Sequence, residues 1–256
     1  MLTPDQRDRL EVVLVAPRNP LNIGAVARAM ANFGFSRLSV VSPYEAHWRE
    51  ARSAVGAPEL LQNARETGTL AQAVANCTFV AGTGTRMYRK PEQPVFLLPE
   101  GGPILARQLA GGHRVALVFG PEKHGLTRDD LSSCHAFVEI PTDPRQPSMN
   151  LGQAVAVCLY EVAHGVQGSR EQRAREQGTG EPASNAGSLD RLGSLIEETM
   201  LAAGYSPRAM QAANRHDLRV LLRRLGPSAL DTRRMLGLFR RILHRLQDPS
   251  VGGRSR

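Results

Sequence analysis

The chain lacks the features of a membrane-spanning or disulfide-bonded protein. None of its apolar runs approaches the roughly 20 residues that a helix needs to cross a bilayer, and the segment from Met1 to Glu11 carries no signal-peptide core. Its three cysteines, Cys77, Cys134 and Cys158, are an odd number without metal-ligand spacing. We therefore expect a reduced, cytoplasmic protein that does not enter a membrane.

The sequence patterns of several enzyme classes are also absent. The seven histidines never form a His-Glu-x-x-His motif and no Cys-x-x-Cys occurs, so we expect no metal site. Neither a Gly-x-Ser-x-Gly nucleophile elbow nor a Gly-Lys-Ser/Thr phosphate loop is present. These absences disfavour hydrolases and nucleoside triphosphatases, and phosphoryl transfer is not expected without a Mg²⁺ site.

Lysine is nearly missing, since Lys90 and Lys123 are the only two among 32 basic residues, and the net charge is +8. Residues 1–167 contain 16 basic and 15 acidic residues, whereas residues 188–256 contain 13 and 6, so the excess lies in the last quarter of the chain. Such a patch suits a polyanion, with nucleic acid first and an anionic membrane second. The planar fork of arginine suits phosphate, although a GC-rich genome also explains the bias.

Strand-like and helix-like segments alternate over the first 165 residues. The strand candidates are short runs of β-branched and apolar residues, and the helix candidates carry capping signals. This alternation predicts an α/β fold in which helices cover both faces of a parallel sheet. The predicted strands are Val12–Ala16, Leu38–Ser42, Phe79–Gly82, Val115–Gly120 and Phe137–Ile140, and the predicted helices are Asn22–Phe33, Leu70–Asn76, a short one after Thr127, and Leu151–His164.

The composition changes near residue 168. Residues 168–187 have almost no apolar content, which is typical of a flexible linker. Apolar residues then recur with helical spacing in three segments, separated at Ser206-Pro207 and Gly226-Pro227. We therefore predict a main domain over residues 1–167, a linker over 168–187, a small, basic, all-α domain over 188–248 and a tail over 249–256.

The first loop motif, Asn22-Ile23-Gly24-Ala25-Val26-Ala27-Arg28, follows a predicted strand and opens a helix. On a helical wheel Arg28 points away from the apolar face. One interpretation is an ordinary solvated arginine. The functional interpretation is that Gly24 lets a phosphate or a partner chain approach closely while Arg28 supplies a fixed charge.

Two glycine-containing loops follow later strands. Gly82–Arg86 looks like a dinucleotide loop, but the third glycine of that fingerprint is missing, which argues against a nicotinamide-dependent enzyme. Gly120 and Gly125 lie at the two ends of a charged loop, and these glycines would expose backbone groups to a ligand. Open α/β sheets bind ligands at the carboxyl ends of their strands. A plain turn and a plain surface loop are the alternatives for these two segments.

The third motif, Ser148-Met149-Asn150, precedes a predicted helix. Asn150 is a good N-cap and Ser148 an ordinary polar loop residue, which would account for both without any function. The functional interpretation places a carbonyl and a hydroxyl close to a reacting centre.

The three motifs, in this order and spacing, resemble the signature motifs of the SpoU branch of SPOUT methyltransferases over roughly residues 10 to 165. Members of that family methylate ribose 2′-hydroxyls of RNA with S-adenosylmethionine. The resemblance implies an α/β sheet with a C-terminal deep trefoil knot, an exception to the rule against knots. It also implies a homodimer with both active sites at the subunit interface.

Site residues follow from the resemblance position by position. Arg28 matches the motif-one arginine, which the family places opposite the knot of the other protomer; it is too basic for an ordinary general base and would orient phosphate. Ser148 and Asn150 match the residues that position the hydroxyl and the methyl donor, and Arg86 matches a further catalytic arginine. The implied cofactor-binding residues are Thr83, Gly84, Thr85, Gly120, Glu122, Gly125, Ile140, Ser148 and Met149.

The sequence departs from the family pattern at three positions. Pro121 stands where arginine often precedes the motif-two glutamate, and Met149 replaces a common leucine. Tyr88 occupies the place of a second catalytic arginine, with Arg89 adjacent. This departure leaves open whether Arg86 or Arg89 makes the RNA contact.

Within the branch, the basic C-terminal extension resembles the bacterial subgroup that methylates cytidine or uridine at tRNA nucleotide 32. The resemblance thus predicts tRNA as the partner, contacted by Arg28, Arg86 and Arg89 and, in the extension, by Arg219, Arg223 and Arg224. The alternatives are another RNA target such as rRNA, and a non-catalytic RNA-binding protein that keeps the fold. Intact Arg28, Ser148 and Asn150 argue against the non-catalytic alternative.

Overall fold

The structure, a computed structural model, describes residues 1–87, 89–165, 181–205 and 210–248. Over these residues the chain forms a seven-stranded sheet in the order β3-β2-β1-β6-β4-β7-β5, and every adjacent pair of strands is parallel. The α/β prediction is therefore confirmed. The strands are β1 (Leu10–Val15), β2 (Arg37–Val41), β3 (Arg65–Thr67), β4 (Phe79–Thr83), β5 (Val95–Leu97), β6 (Val115–Phe119) and β7 (Ala136–Glu139).

Ten α-helices are assigned within the described residues, and none of them is both long and apolar enough to cross a membrane. Helices α2 and α7 have the local signals that the sequence suggested, since the left-handed Gly34 ends α2 and Asn150 caps α7. The helices are α1 (Pro4–Arg7), α2 (Pro20–Phe33), α3 (Pro58–Gln62), α4 (Leu70–Val74), α5 (Leu98–Ala110), α6 (Arg128–Ser132), α7 (Leu151–His164), α8 (Ala186–Ala202), α9 (Gln211–Leu225) and α10 (Ala229–Gln247).

Two hydrophobic clusters cover the two faces of the sheet. Alternate residues of β1 enter different clusters, because successive side chains of a strand point to opposite faces. Val12 and Leu14 pack with α2, α5 and α7, whereas Val13 packs with α4 and α6. Since both faces are buried, the strands read as continuous apolar runs.

The predicted bounds shift by one or two residues for most elements, and five of the strands and α-helices were not predicted at all. These are the edge strands β3 and β5 and the helices α1, α3 and α5. Predictions for residues 168–180, for Ser206-Pro207, for Tyr88 and for the tail 249–256 lie outside the described residues.

The C-terminal extension consists of α8, α9 and α10. Helix α8 begins at Ala186, two residues before the predicted start of the domain, and Ser184 and Ala186 are buried. The last residues of the predicted linker are therefore part of the folded extension. Helix α9 lies against α6, and the amide of Ala186 donates to the carbonyl of Cys77 in the main domain.

Candidate active site

A cavity of about 680 Å³ opens where the loops after β4, β6 and β7 meet the N-terminus of α7. All nine residues that the resemblance assigned to the cofactor line this cavity. Residues that are far apart in the sequence thus meet at the carboxyl edge of the sheet, as open α/β sheets allow. The lining also includes residues outside the predicted cofactor-binding set, among them Phe119, Lys123, His124, Thr142, Pro147, Leu151 and Ala154.

The loop after β6 folds back on itself, and glycine is required at both of its ends. A Cβ at Gly120 would lie 2.2 Å from the amide nitrogen of Leu126. Gly125 has a φ of +61°, a left-handed conformation that glycine adopts without strain, and its amide donates to the carbonyl of Pro121 over 2.7 Å. The glycines therefore shape the loop that forms one wall of the cavity.

Arg89 lies on the cavity wall and ties two loops together. Its guanidinium donates to the backbone carbonyls of Thr85, His124 and Leu126, which belong to the loops after β4 and β6. The prediction that Arg89 contacts RNA is therefore not supported, because all three guanidinium nitrogens donate within the chain.

Arg86 lies outside the cavity lining and pairs with Glu139 at the end of β7, with 2.5 Å between Nε and Oε2. Burial would raise the pKa of Glu139, but hydrogen bonds from the amide and side chain of Arg86 outweigh it and hold that pKa below its usual value. The side chain of Arg86 is still 53% exposed. Its catalytic and RNA-binding roles remain predictions.

Glu122 connects the cavity wall to the start of α2. Its carboxylate accepts hydrogen bonds from the amides of Arg18 and Asn19, over 3.2 and 3.4 Å, and from Nδ2 of Asn22 over 2.8 Å. Burial acts to raise the pKa of Glu122, yet the hydrogen bonds from Asn22 and the amides prevail and lower it. The carboxylate therefore stays ionised and anchors α2, a role that the sequence did not reveal.

Asn150 caps α7, as the sequence suggested, and also contacts α2. Its Oδ1 caps α7 by accepting from the amides of Gly152 and Gln153, while its Nδ2 donates to Oδ1 of Asn22 over 3.0 Å. Ser148 is exposed and lines the cavity two residues earlier. Asn22 thus bridges Asn150 and Glu122, so one side chain of the first motif contacts the other two motifs.

Arg28 is exposed on α2 and does not line the cavity of its own chain. No hydrogen bond or ion pair of its side chain is found within the part of the chain that the structure describes.

The interpretation that Gly24 lets a phosphate or a partner chain approach was wrong. A Cβ at Gly24 would lie 2.2 Å from Oγ of Ser53 and 2.8 Å from the amide of Ala54. Gly24 accommodates the chain's own loop rather than a ligand.

The arginines of the extension differ in accessibility. The side chain of Arg223 is 1% exposed, pairs with Asp190 over 2.7 Å and donates through Nε to the carbonyl of Ser133. The prediction that Arg223 contacts RNA is therefore wrong for this structure. Arg219 pairs with Asp129 over 2.9 Å, while Arg224 is exposed.

No cysteine lines the cavity, and the one grouping of potential metal ligands among the described residues lies elsewhere. Burial raises the pKa of Cys77, Cys134 and Cys158 to about 12 in each case, so these thiols stay protonated. The described residues contain one grouping with ligand atoms within 4.8 Å of one another, formed by Glu92, His216 and Asp217. Glu92 already pairs there with Arg128 and His216.

Comparison with known proteins agrees with this geometry. Residues 9–160 match the SpoU rRNA Methylase family. The tRNA (cytidine/uridine-2′-O-)-methyltransferase TrmJ of Pectobacterium atrosepticum is 35% identical over 243 residues, which are 94% of this chain and 97% of that protein. TrmJ of Escherichia coli K12 is 31% identical over 247 residues, covering 96% and 98%.

Among solved structures, TrmJ from Z. mobilis ZM4 aligns with a TM-score of 0.78 at 29% identity, over 91% of this chain and 98% of that one. A probable methyltransferase from Bordetella pertussis aligns with a TM-score of 0.58 at 27% identity, over 64% and 99%. The similarity to the first structure extends into the C-terminal extension, beyond the family match. The chain belongs to the SpoU methylase family.

Proposed function

We propose that the protein transfers a methyl group from S-adenosylmethionine to a ribose 2′-hydroxyl of tRNA. The observation that carries this proposal is that all nine predicted cofactor-binding residues, Ser148 among them, line one cavity. Two relatives that align over almost the whole chain are named as tRNA cytidine/uridine-2′-O-methyltransferases. The cavity volume of about 680 Å³ lies within the usual range for small-molecule sites.

The cavity suits a cofactor with a purine and an amino-acid part. Its walls combine backbone of the glycine loops with apolar side chains such as Ile140, Met149 and Leu151. S-adenosylmethionine, when bound, supplies an electrophilic methyl group on its sulfonium. The protein then needs chiefly to align the hydroxyl and remove its proton, and alignment contributes several kcal/mol.

We assign the reacting hydroxyl to the neighbourhood of Ser148 and Asn150. The Asn150 amide is oriented by Asn22, so its side chain has a fixed direction at the start of α7. Arg28 would hold the RNA phosphate and stabilise the developing alkoxide, since a guanidinium can bind phosphate through two parallel hydrogen bonds. Arg86 would assist in binding the RNA after its ion pair with Glu139 is replaced by one with a phosphate.

We further propose a homodimer, because Arg28 is exposed and does not line the cavity of its own chain. The outer faces of α2 and α7 expose Leu21, Val157 and Tyr160, with exposed fractions of 56%, 37% and 51%. Apolar exposure beside Arg28 suits an isologous interface. The segment from β6 to α7 would form the trefoil knot of the family, in keeping with a strand order in which β6 lies between β1 and β4.

The extension would hold tRNA by charge, with nucleotide 32 of the anticodon loop as the target and the cytoplasm as the place of action. Arg224 and three arginines of α10 (Arg240, Arg241 and Arg245) are exposed, which supports this role. Affinity should then fall steeply as salt rises, because phosphate neutralisation releases counterions.

The main test is to map 2′-O-methylated tRNA positions in cells with and without the protein and to repeat the reaction with purified components. The methylation missing from deleted cells should appear when protein and S-adenosylmethionine are added to their tRNA. Methyl transfer to rRNA alone would redirect the proposal to another RNA. Cofactor-free RNA binding without any transfer would favour the non-catalytic alternative.

A second experiment tests the dimer. Arg28→Ala and Asn150→Ala variants should each be inactive, but mixed dimers would contain one site with both defects and one with neither. Activity in purified heterodimers should therefore recover towards half of the wild-type value. No recovery after verified subunit exchange would mean that Arg28 acts within its own chain or that both sites must be intact together.

A further inference from the structure

An arginine side chain lies over a tyrosine ring on the surface next to the start of α2. Tyr44 follows β2 and is 68% exposed, although aromatic residues make up only 5% of the chain. The guanidinium carbon of Arg18 lies 5.0 Å from the centroid of the Tyr44 ring. Both groups are flat and both face solvent, so they offer a planar surface of a kind that bases stack on.

The backbone fixes the position of this pair. The amide of Tyr44 donates to the carbonyl of Pro17 over 3.2 Å, which joins the loops after β1 and β2. Ala16 and Ser42, the residues directly after these two strands, have φ values of +44° and +45°. Residues other than glycine rarely adopt such values, and they persist where the surroundings hold them in place, often at functional sites.

The pair is also connected to the candidate active site. The amide of Arg18 donates to Glu122, which lines the cavity and accepts in turn from Asn22. Asn22 accepts from Asn150. The Arg18–Tyr44 pair is therefore attached to the same hydrogen-bonded network as the residues beside the proposed reacting centre.

We propose that Arg18 and Tyr44 form a stacking platform for an unpaired RNA base next to the methylated nucleotide. This inference rests on the proposed function. RNA loops are recognised largely through bases that stack on aromatic rings and guanidinium planes. Every base has a stacking face, so the platform would set which nucleotide of the loop reaches the cavity rather than read base identity.

Substitution of Tyr44 tests the platform. Tyr44→Ala should raise the KM for tRNA about 5- to 150-fold, the range of one lost base–aromatic stack, while kcat changes little. Tyr44→Phe keeps the ring and should restore the wild-type KM. Tyr205→Ala, which removes an equally exposed tyrosine at the end of α8, is the matched control and should leave KM unchanged.

A fluorescence measurement reports stacking directly. tRNA with 2-aminopurine at one anticodon-loop position at a time should show quenching by the wild-type protein at a single position that Tyr44→Ala abolishes and Tyr44→Phe retains. Affinity for S-adenosylmethionine, measured in parallel, should be equal in all variants. A Tyr44→Ala variant with unchanged KM and unchanged quenching would overturn the platform alone.

The remaining outcomes separate the two proposals. If wild-type protein methylates no tRNA, the proposed function fails and the platform fails with it. If Tyr44→Ala changes the sedimentation coefficient but not the quenching pattern, the surface joins two copies of the chain, and the platform is likewise overturned.

Discussion

Replacement of Asn22 by alanine should impair methyl transfer without impairing folding. Asn22 donates to Glu122 over 2.8 Å and accepts from Asn150 over 3.0 Å, so its side chain is the only direct link among these three residues in the described structure. Alanine is the better helix former, by up to about 0.7 kcal/mol, which offsets part of any loss of stability. The cost should therefore appear mainly in the placement of Asn150.

The magnitude follows from the two lost hydrogen bonds. A bond to a charged group contributes about 1.5–3 kcal/mol and a neutral one about 0.5–1.5 kcal/mol. Both hydrogen bonds lie at an exposed site, where water can take the place of the lost partner. We therefore expect the variant to lose about 1–3 kcal/mol of transition-state stabilisation. That corresponds to a decrease of kcat/KM of roughly 5- to 150-fold.

The assay compares Asn22→Ala with Asn32→Ala, the same chemical change on the exposed surface of the same helix. Transfer of a labelled methyl group to tRNA gives kcat/KM, and urea unfolding gives stability. Asn22→Ala should lose activity at nearly unchanged stability, and Asn32→Ala should match the wild type. Equal activity of the two variants would refute the positioning role of Asn22.

Three further predictions concern charged groups. Arg28→Lys should lower turnover about tenfold or more at unchanged thermal stability, because an ammonium cannot make a two-pronged phosphate contact; wild-type turnover would contradict this role. Folding lowers the pKa of Glu122, so the wild type should be more stable than Glu122→Gln above pH 4.5, the ordinary pKa of glutamate. This difference in stability should vanish as the pH falls through the lowered pKa. Urea unfolding at several pH values measures it. Arg223→Ala should reduce the free energy of unfolding by about 3–5 kcal/mol because Asp190 loses its buried partner, whereas exposed Arg224→Ala should change it by less than about 0.5 kcal/mol; similar values for the two would refute the buried pair.

Elements with strong local signals could be predicted from the sequence, and those defined by their neighbours could not. Strands β1, β4 and β6 are apolar runs, and α7 has its N-cap at Asn150. Strand β3 has only three residues, none of them apolar, and is a strand because it pairs with β2 at the sheet edge. Edge strands are often short and polar, so little in their sequence distinguishes them from loops.

Helix α5 was missed because its sequence contains helix breakers. Gly101, Gly102 and Pro103 lie inside it, and each disfavours a helix interior. Packing explains the glycine at 102, since a Cβ there would lie 2.7 Å from Cβ of Glu161 in α7. Close contact between α5 and α7 thus outweighs local propensity, and a single sequence does not reveal such contacts.

The cavity lining was predictable through family motifs, but the use of each arginine was not. Arg223 and Asp190 are 33 residues apart in the sequence, and Arg223 and Ser133 are 90 apart. A basic side chain that pairs inside the fold looks the same in sequence as one that faces RNA. Net charge therefore indicated the class of partner, but neither charge nor resemblance revealed that Arg223 and Arg89 bond within the chain.

The loops around the cavity owe their positions to a few side chains that tie them to one another. Glu122 ties the loop after β6 to α2, and Arg89 ties that loop to the one after β4. Asn150 connects the start of α7 to α2. Gly152 allows the two helices to lie close together, because a Cβ at Gly152 would lie 2.7 Å from the Cβ of Ala25 in α2. Ligand contacts made by the loop backbone depend on the position of the loop. The hydrogen bonds that hold the loops in place therefore affect activity even where they do not contact a ligand. Substitutions at the ties should therefore affect catalysis more than their small contribution to stability suggests.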